Sequence, residues 1–135
     1  MVLKKQILIL EDDLLVLSKL LKRLDDLEDR EPYSFHHVIL ADYVQVEDFV
    51  NSNSKANFDI ILLDRDCKLG GSFHTLDIER FGADKVVSMS SIPEANQDAK
   101  KRGVKRSVLK DFQHLDEFAD KVVAEVEDMV RRKNI

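Results

Sequence analysis

Short, uninterrupted apolar runs alternate with segments of helical period along the chain, and this alternation restricts the fold more than any other feature. Gln6-Ile7-Leu8-Ile9-Leu10 and Phe58-Asp59-Ile60-Ile61-Leu62-Leu63 read as strands covered on both faces, because a half-exposed strand would alternate apolar with polar residues. His37-Val38-Ile39-Leu40-Ala41, Lys85-Val86-Val87-Ser88-Met89 and Ser107-Val108-Leu109 supply three more strands. After the first strand, Leu14, Leu17, Leu20, Leu21, Leu24 and Leu27 recur at steps of three and four, the spacing of one helix face. Asp13 stands where that helix needs an N-cap, and Glu31-Pro32 lies just past its end, in a stretch over 29–35 that reads as a loop. A short helix is expected over 44–50, and a weak one over 72–80 after a turn at Gly70-Gly71. A fourth runs from Pro93 to Arg102 with Gly103 closing it, and a last one carries Leu115, Phe118, Val122, Val126, Met129 and Val130 on one stripe. Five strand-then-helix units build a parallel sheet with helices on both faces, joined by right-handed crossovers. Ligands of such a doubly wound α/β sheet lie beyond the carboxyl ends of its strands.

The 135 residues suit one domain spanning 1–135, and roughly two-thirds of the unfolded surface is buried at this size. With 44% apolar and 35% charged residues the chain is a folding sequence and not a disordered one. No apolar run is long enough to span a membrane, and the N-terminus carries no signal-peptide cleavage pattern. The balance of 21 Lys+Arg against 26 Asp+Glu, net −5, argues against a nucleic-acid partner. A single cysteine, Cys67, excludes an internal disulfide framework and fits a reducing, cytoplasmic setting.

The strand ends carry polar groups of one kind. The first delivers Glu11 and Asp12, the third Asp64 and Asp66, the fourth Ser90 and Ser91, and the fifth Lys110. In a parallel sheet these converge on one rim. Crowded carboxylates raise one another's pKa unless a cation relieves them, and hard oxygen ligands of this number suit Mg²⁺. A hydroxyl and an ammonium beside that cation are what the oxygens of a phosphoryl group need, and a carboxylate is a competent nucleophile for forming an aspartyl-phosphate.

On these residues the chain resembles the receiver domain of two-component response regulators, and it does so over its whole length. "ILILEDD" is similar to the family's first strand and acidic pair, which assigns Glu11 and Asp12 to the metal. "FDIILLD" places Asp64 at the phospho-accepting position, and Asp66 two residues on would offer its backbone carbonyl to the metal. "VVSMSS" puts Ser90 at the hydroxyl position, and "GVKRSVLKDF" puts Lys110 at the lysine position. The resemblance implies a flavodoxin-like (βα)5 fold with strand order 2-1-3-4-5. It also implies Mg²⁺-dependent phosphorylation of Asp64 by a histidine kinase or phosphotransfer protein.

Three departures bear on output. Asp111 follows the lysine where the family has proline, Lys68 replaces a proline four residues after the acceptor, and Ser107 occupies the aromatic switch position. The expected readout therefore runs through the segment from Ser91 to Glu94 and the faces of the last two helices, toward a downstream protein or a second copy of the chain. Since the sequence ends with its fifth helix, the reading is a stand-alone switch and not an enzyme. Two alternatives compete with it. The "LLDRDCK" segment is similar to the Asp-x-Asp motif of haloacid-dehalogenase-like phosphatases, although there the acidic pair comes last and not first. A receiver-like interaction module without phosphorylation would account for the missing aromatic and proline.

Other polar residues have plainer readings. Cys67 has no second cysteine to work with, and His36, His37, His74 and His114 lack metal-ligand spacing. Lys100, Lys101, Arg102, Lys105 and Arg106 lie at a helix C-terminus, which favours cations without any nucleic acid.

Overall fold

The computed structural model describes residues 2–66, 73 and 76–132. Cys67, Lys68, the Gly70-Gly71 turn and His74 lie outside the described residues. The five strands β1 (Leu3–Leu10), β2 (Tyr33–Leu40), β3 (Ile60–Asp64), β4 (Val86–Ser90) and β5 (Arg106–Leu109) form one all-parallel sheet in the order 2-1-3-4-5. This is the doubly wound architecture expected from the alternation of periods.

Side-chain alternation along the strands divides the core in two. Ile7, Ile9, Ile60, Leu62, Val87, Met89 and Val108 face α1 (Leu14–Arg30) and α5 (Leu115–Arg132). Leu8, Leu10, Ile61, Leu63 and Val86 face the other three helical segments. Helix α1 buries Val16, Leu20, Leu24 and Leu27, so its stripe starts at Val16; Leu14, first of the leucines in the sequence pattern, stays 79% exposed at the rim. Asp13 caps the helix as expected, its Oδ1 accepting from the Leu15 and Val16 amides at 2.9 and 3.1 Å.

The structure revises three segments. Helix α1 reaches Arg30 and β2 starts at Tyr33, so most of the expected loop over 29–35 is strand or helix end, anchored by the buried rings of Tyr33 and Phe35. The expected helix over 44–50 is one α-turn, α2 (Tyr43–Val46), continued by a wider π-turn over Glu47–Asn51 that buries Val50. Its end is held from outside: the Arg80 guanidinium donates to the carbonyls of Val50, Asn51, Asn53 and Ala56 at 2.5 to 3.1 Å. The weak helix expected over 72–80 is a single turn, α3 (Ile78–Phe81), capped by Asp77 and followed by a 3₁₀ turn over Ala83–Lys85. Helix α4 (Pro93–Lys101) ends at Arg102, and Gly103 follows at φ +96°, where a Cβ would also meet Ala83 Cβ at 3.3 Å.

Across α1 and α5, Lys19, Arg23 and Arg30 pair with Asp116, Asp120 and Glu127, but such exposed pairs add little beside the apolar contact beneath them. Replacing Asp13 with alanine should cost about 1 kcal/mol in chemical denaturation, because two amides lose their side-chain acceptor. A variant as stable as the parent would show that the cap holds nothing.

Candidate functional site

The carboxyl ends of β1, β3, β4 and β5 meet at one rim, and the register explains how. Leu10 pairs with Leu63, Asp64 with Met89 and Ser90 with Leu109, so the residues just beyond stand side by side. Ser90 is buried, and so are Glu11, Asp64 and Lys110, a rare fate for charged side chains unless they are paired.

Lys110 supplies the pairing. Its Nζ lies 2.9 Å from Glu11 Oε1 and 2.8 Å from Asp64 Oδ1. The Asp66 amide donates to the same Asp64 oxygen at 2.8 Å, and the Asp13 amide donates to Glu11 Oε2 at 3.0 Å. Asp64 Oδ2 is different: it is buried and has no hydrogen-bond partner among the described residues. Glu11, Asp12 and Asp64 bring one carboxylate oxygen each within 4.8 Å of one another.

Three carboxylates thus face one ammonium. At an effective dielectric near 20, two like charges ~5 Å apart repel by about 3 kcal/mol before screening and relaxation. Burial, with the Glu11 charge adding to it, pushes the Asp64 carboxyl up to about 8 against the pull of Lys110 and the Asp66 amide. Burial works to lower the Lys110 ammonium, but Asp64 and Glu11 outweigh it and raise its pKa above the usual lysine value. The donor set is all oxygen, carries excess negative charge and includes an orphaned buried oxygen, so these residues fit a hard divalent cation.

Asp66 behaves differently from the other acids. Its carboxylate turns away from them and accepts from Ser90 Oγ and the Ser91 amide, both at 2.5 Å. Ser90 Oγ in turn accepts from the Ile92 amide at 3.0 Å. Neither serine caps α4, whose N-cap is Ile92 without a side-chain bond. Ser107 sits on the edge strand β5 with its side chain exposed, so that position buries nothing.

Sequence reasoning missed Arg65 and Asn96. Arg65 reaches α4, donating to the Ala95 carbonyl at 3.3 Å and to Asp98 Oδ2 at 3.0 Å. Asn96 accepts from Ser88 Oγ at 2.7 Å and donates to the Val108 carbonyl at 3.3 Å, joining α4 to β4 and β5. The only hint of Arg65 was its place between two acids. The two arginines of the basic cluster near α4 are engaged by the protein itself, Arg106 pairing with Glu125 and Asp128 and Arg102 donating to the Leu76 carbonyl.

Solved structures share this architecture. The chain is similar to the bacteriophytochrome response regulator RtBRR, with 23% identity and a TM-score of 0.64 over 96% of this chain and 78% of that one. It is similar to the bacteriophytochrome response regulator AtBRR, at 16% identity and TM-score 0.63 over 93% and 91% of the two chains. It is also similar to the Mn²⁺-bound form of response regulator Rcp1, at 16% identity and TM-score 0.64 over 85% and 88%. No family model and no curated protein matches the sequence. The fold is therefore the receiver fold of response regulators. No helix among the described residues is long and apolar enough to cross a membrane.

The raised Asp64 pKa has a signed consequence for the metal-free protein. Its unfolded value is near 3.8, so the native state holds the proton more tightly and this group's contribution to stability falls as pH rises from about 4 to about 8. In EDTA, Asp64→Asn should melt a few degrees above the parent, with a gap that widens between pH 5 and pH 8. A gap that stays constant or narrows over that range would contradict the strained rim.

Proposed function

We propose that this chain is a phospho-accepting receiver whose Asp64 takes a phosphoryl group from a phosphohistidine of a histidine kinase or phosphotransfer protein. The observation that carries the reading is Asp64 Oδ2, a buried carboxylate oxygen without a hydrogen-bond partner among the described residues, beside an ammonium that already holds its twin. In the transfer the donor's phosphorus–nitrogen bond breaks as a phosphorus–oxygen bond forms to Asp64. The histidine nitrogen leaves with the electron pair and takes a proton. Lys110 Nζ, the Ser90 hydroxyl and the Ser91 amide are the donors at the rim for the phosphoryl oxygens. The side chains of Glu11, Asp12 and Asp64, with the Asp66 backbone carbonyl, would hold Mg²⁺, which when bound supplies positive charge against the transferring oxygens.

The rim also suits a protein donor. Leu14, Leu15, Ile92 and Phe112 are large apolar side chains left more than half exposed on segments that leave the strand ends. Output runs outward through α4: Arg65, next to the acceptor, is bonded to Ala95 and Asp98, and Asn96 ties the same helix to β4 and β5. The faces of α4 and α5 then serve a downstream protein or a second copy, with no rotation of a buried ring at Ser107.

Acetyl phosphate tests the reading without knowledge of the natural donor. In that reaction the phosphorus–oxygen bond to the acetyl group breaks, and acetate leaves with the electron pair. With Mg²⁺ the intact protein should gain the mass of one phosphoryl group, and Asp64→Asn should gain none. Continuous release of phosphate without an adduct would favour a phosphatase. No reaction at all would leave only the interaction module.

A further inference from the structure

We propose that the Asp66 side chain is a latch on the phosphoryl-binding donors, an internal anion that must let go before a phosphoryl group on Asp64 can be held. The inference rests on the receiver reading above and adds a means of regulating that site.

Proton counting at Ser90 leads to it. A serine hydroxyl has one proton to donate. Ser90 Oγ gives that proton to Asp66 Oδ1 at 2.5 Å while accepting from the Ile92 amide, so it has none left for another anion. The next donor, the Ser91 amide, is spent on Asp66 Oδ2 at 2.5 Å. Both oxygens of one carboxylate thus sit on the two donors at the end of β4, in charge-assisted bonds. Two oxygens of a phosphoryl group would make the same pair of bonds. Of the three rim donors named above, Lys110 remains, and it already divides itself between Glu11 and Asp64.

The latch is tied to the acceptor it guards. The Asp66 amide donates to Asp64 Oδ1 at 2.8 Å, so its carboxylate starts two residues from the nucleophile and ends on the donors beside it. A phosphoryl group on Asp64 would compete for the Ser90 proton and also repel Asp66 by charge. Uptake therefore requires the Asp66 side chain to swing out, and it then frees the bond between the end of β3 and the segment that opens α4. Asp66 is a positioning residue in this account. Its backbone carbonyl, the atom assigned to the metal, is untouched by substitution of the side chain.

Phosphorylation by acetyl phosphate and Mg²⁺, followed by intact mass, tests the latch in the parent, Asp66→Ala, Asp66→Asn and Ser90→Ala, and in the Asp66→Ala variant combined with Ser90→Ala. Losing two charge-assisted bonds should speed uptake about tenfold or more in Asp66→Ala. Asparagine, with one acceptor oxygen for two donors, should fall between. The gain should shrink when Ser90 is already alanine, which a merely structural role for Asp66 would not produce. The Ser91 amide proton should also move upfield in Asp66→Ala, because its short bond to a carboxylate is gone. If the parent takes up one phosphoryl group and both Asp66 variants match its rate within about twofold, the latch is overturned while the receiver reading stands. Uptake by Asp66→Ala alone would support the latch in its strongest form. If neither the parent nor either Asp66 variant reacts, the receiver reading fails and the latch with it.

Discussion

A single ammonium holds the rim together. Lys110, just past β5, lies between Glu11 just past β1, 99 residues away, and Asp64 at the end of β3, 46 residues away. All three are buried, where an unpaired charge costs several kcal/mol, so the pairing fixes how the strand ends meet. It does not balance them. Asp12 brings a third carboxylate to the same place, and Asp64 is left with one oxygen bonded twice and the other without a partner among the described residues. Beneath the rim, Leu8, Leu10, Ile61 and Leu63 pack on one face of the sheet and Ile7, Ile9 and Leu62 on the other. That close-packed layer supplies the rigidity that keeps the imbalance from relaxing.

From that centre a polar network runs in one direction. Asp66 reaches the end of β4, Arg65 reaches α4, and Asn96 returns from α4 to Ser88 and to the Val108 carbonyl. A chemical change at Asp64 thus has bonded neighbours in β4, β5 and α4. On the proposed reading, that network is a route for output that needs no aromatic side chain at position 107. Low internal dielectric strengthens each of these bonds and makes each unmade one costly, so the network favours discrete arrangements over gradual ones.

Much of this was legible in the sequence because the sheet is buried on both faces. Runs such as Ile7 to Leu10 and Ile60 to Leu63, alternating with helical periods, point to a parallel sheet, and there the residues after such runs must share a rim. Glu11, Asp12, Asp64, Ser90 and Lys110 could be read as one site on that ground. What the pattern did not carry was side-chain direction. Asp66 belonged to the acidic set by position, yet its carboxylate is drawn off by two donors that only the β3–β4 register brings near. The start of β2 is not legible in the sequence because Tyr33-Ser34-Phe35 follows a proline and a charged stretch, and its strand character comes from parallel pairing with Leu3-Lys4-Lys5 and burial of its rings. The helix over 44–50 was misjudged because Arg80, about thirty residues on, fixes its end through tertiary bonds that local propensity does not encode.

The fold itself leaves this rim short of positive charge, and metal binding measures that shortage most directly. Titration calorimetry of Mg²⁺ into the parent and into Asp12→Asn, both free of phosphodonor, reads it without any transfer chemistry. The parent should bind Mg²⁺ at one saturable site, with an affinity about tenfold or more weaker once the Asp12 charge is removed. A parent that takes up no Mg²⁺ saturably, or an Asp12→Asn variant that binds it equally well, would show that the rim has no such shortage.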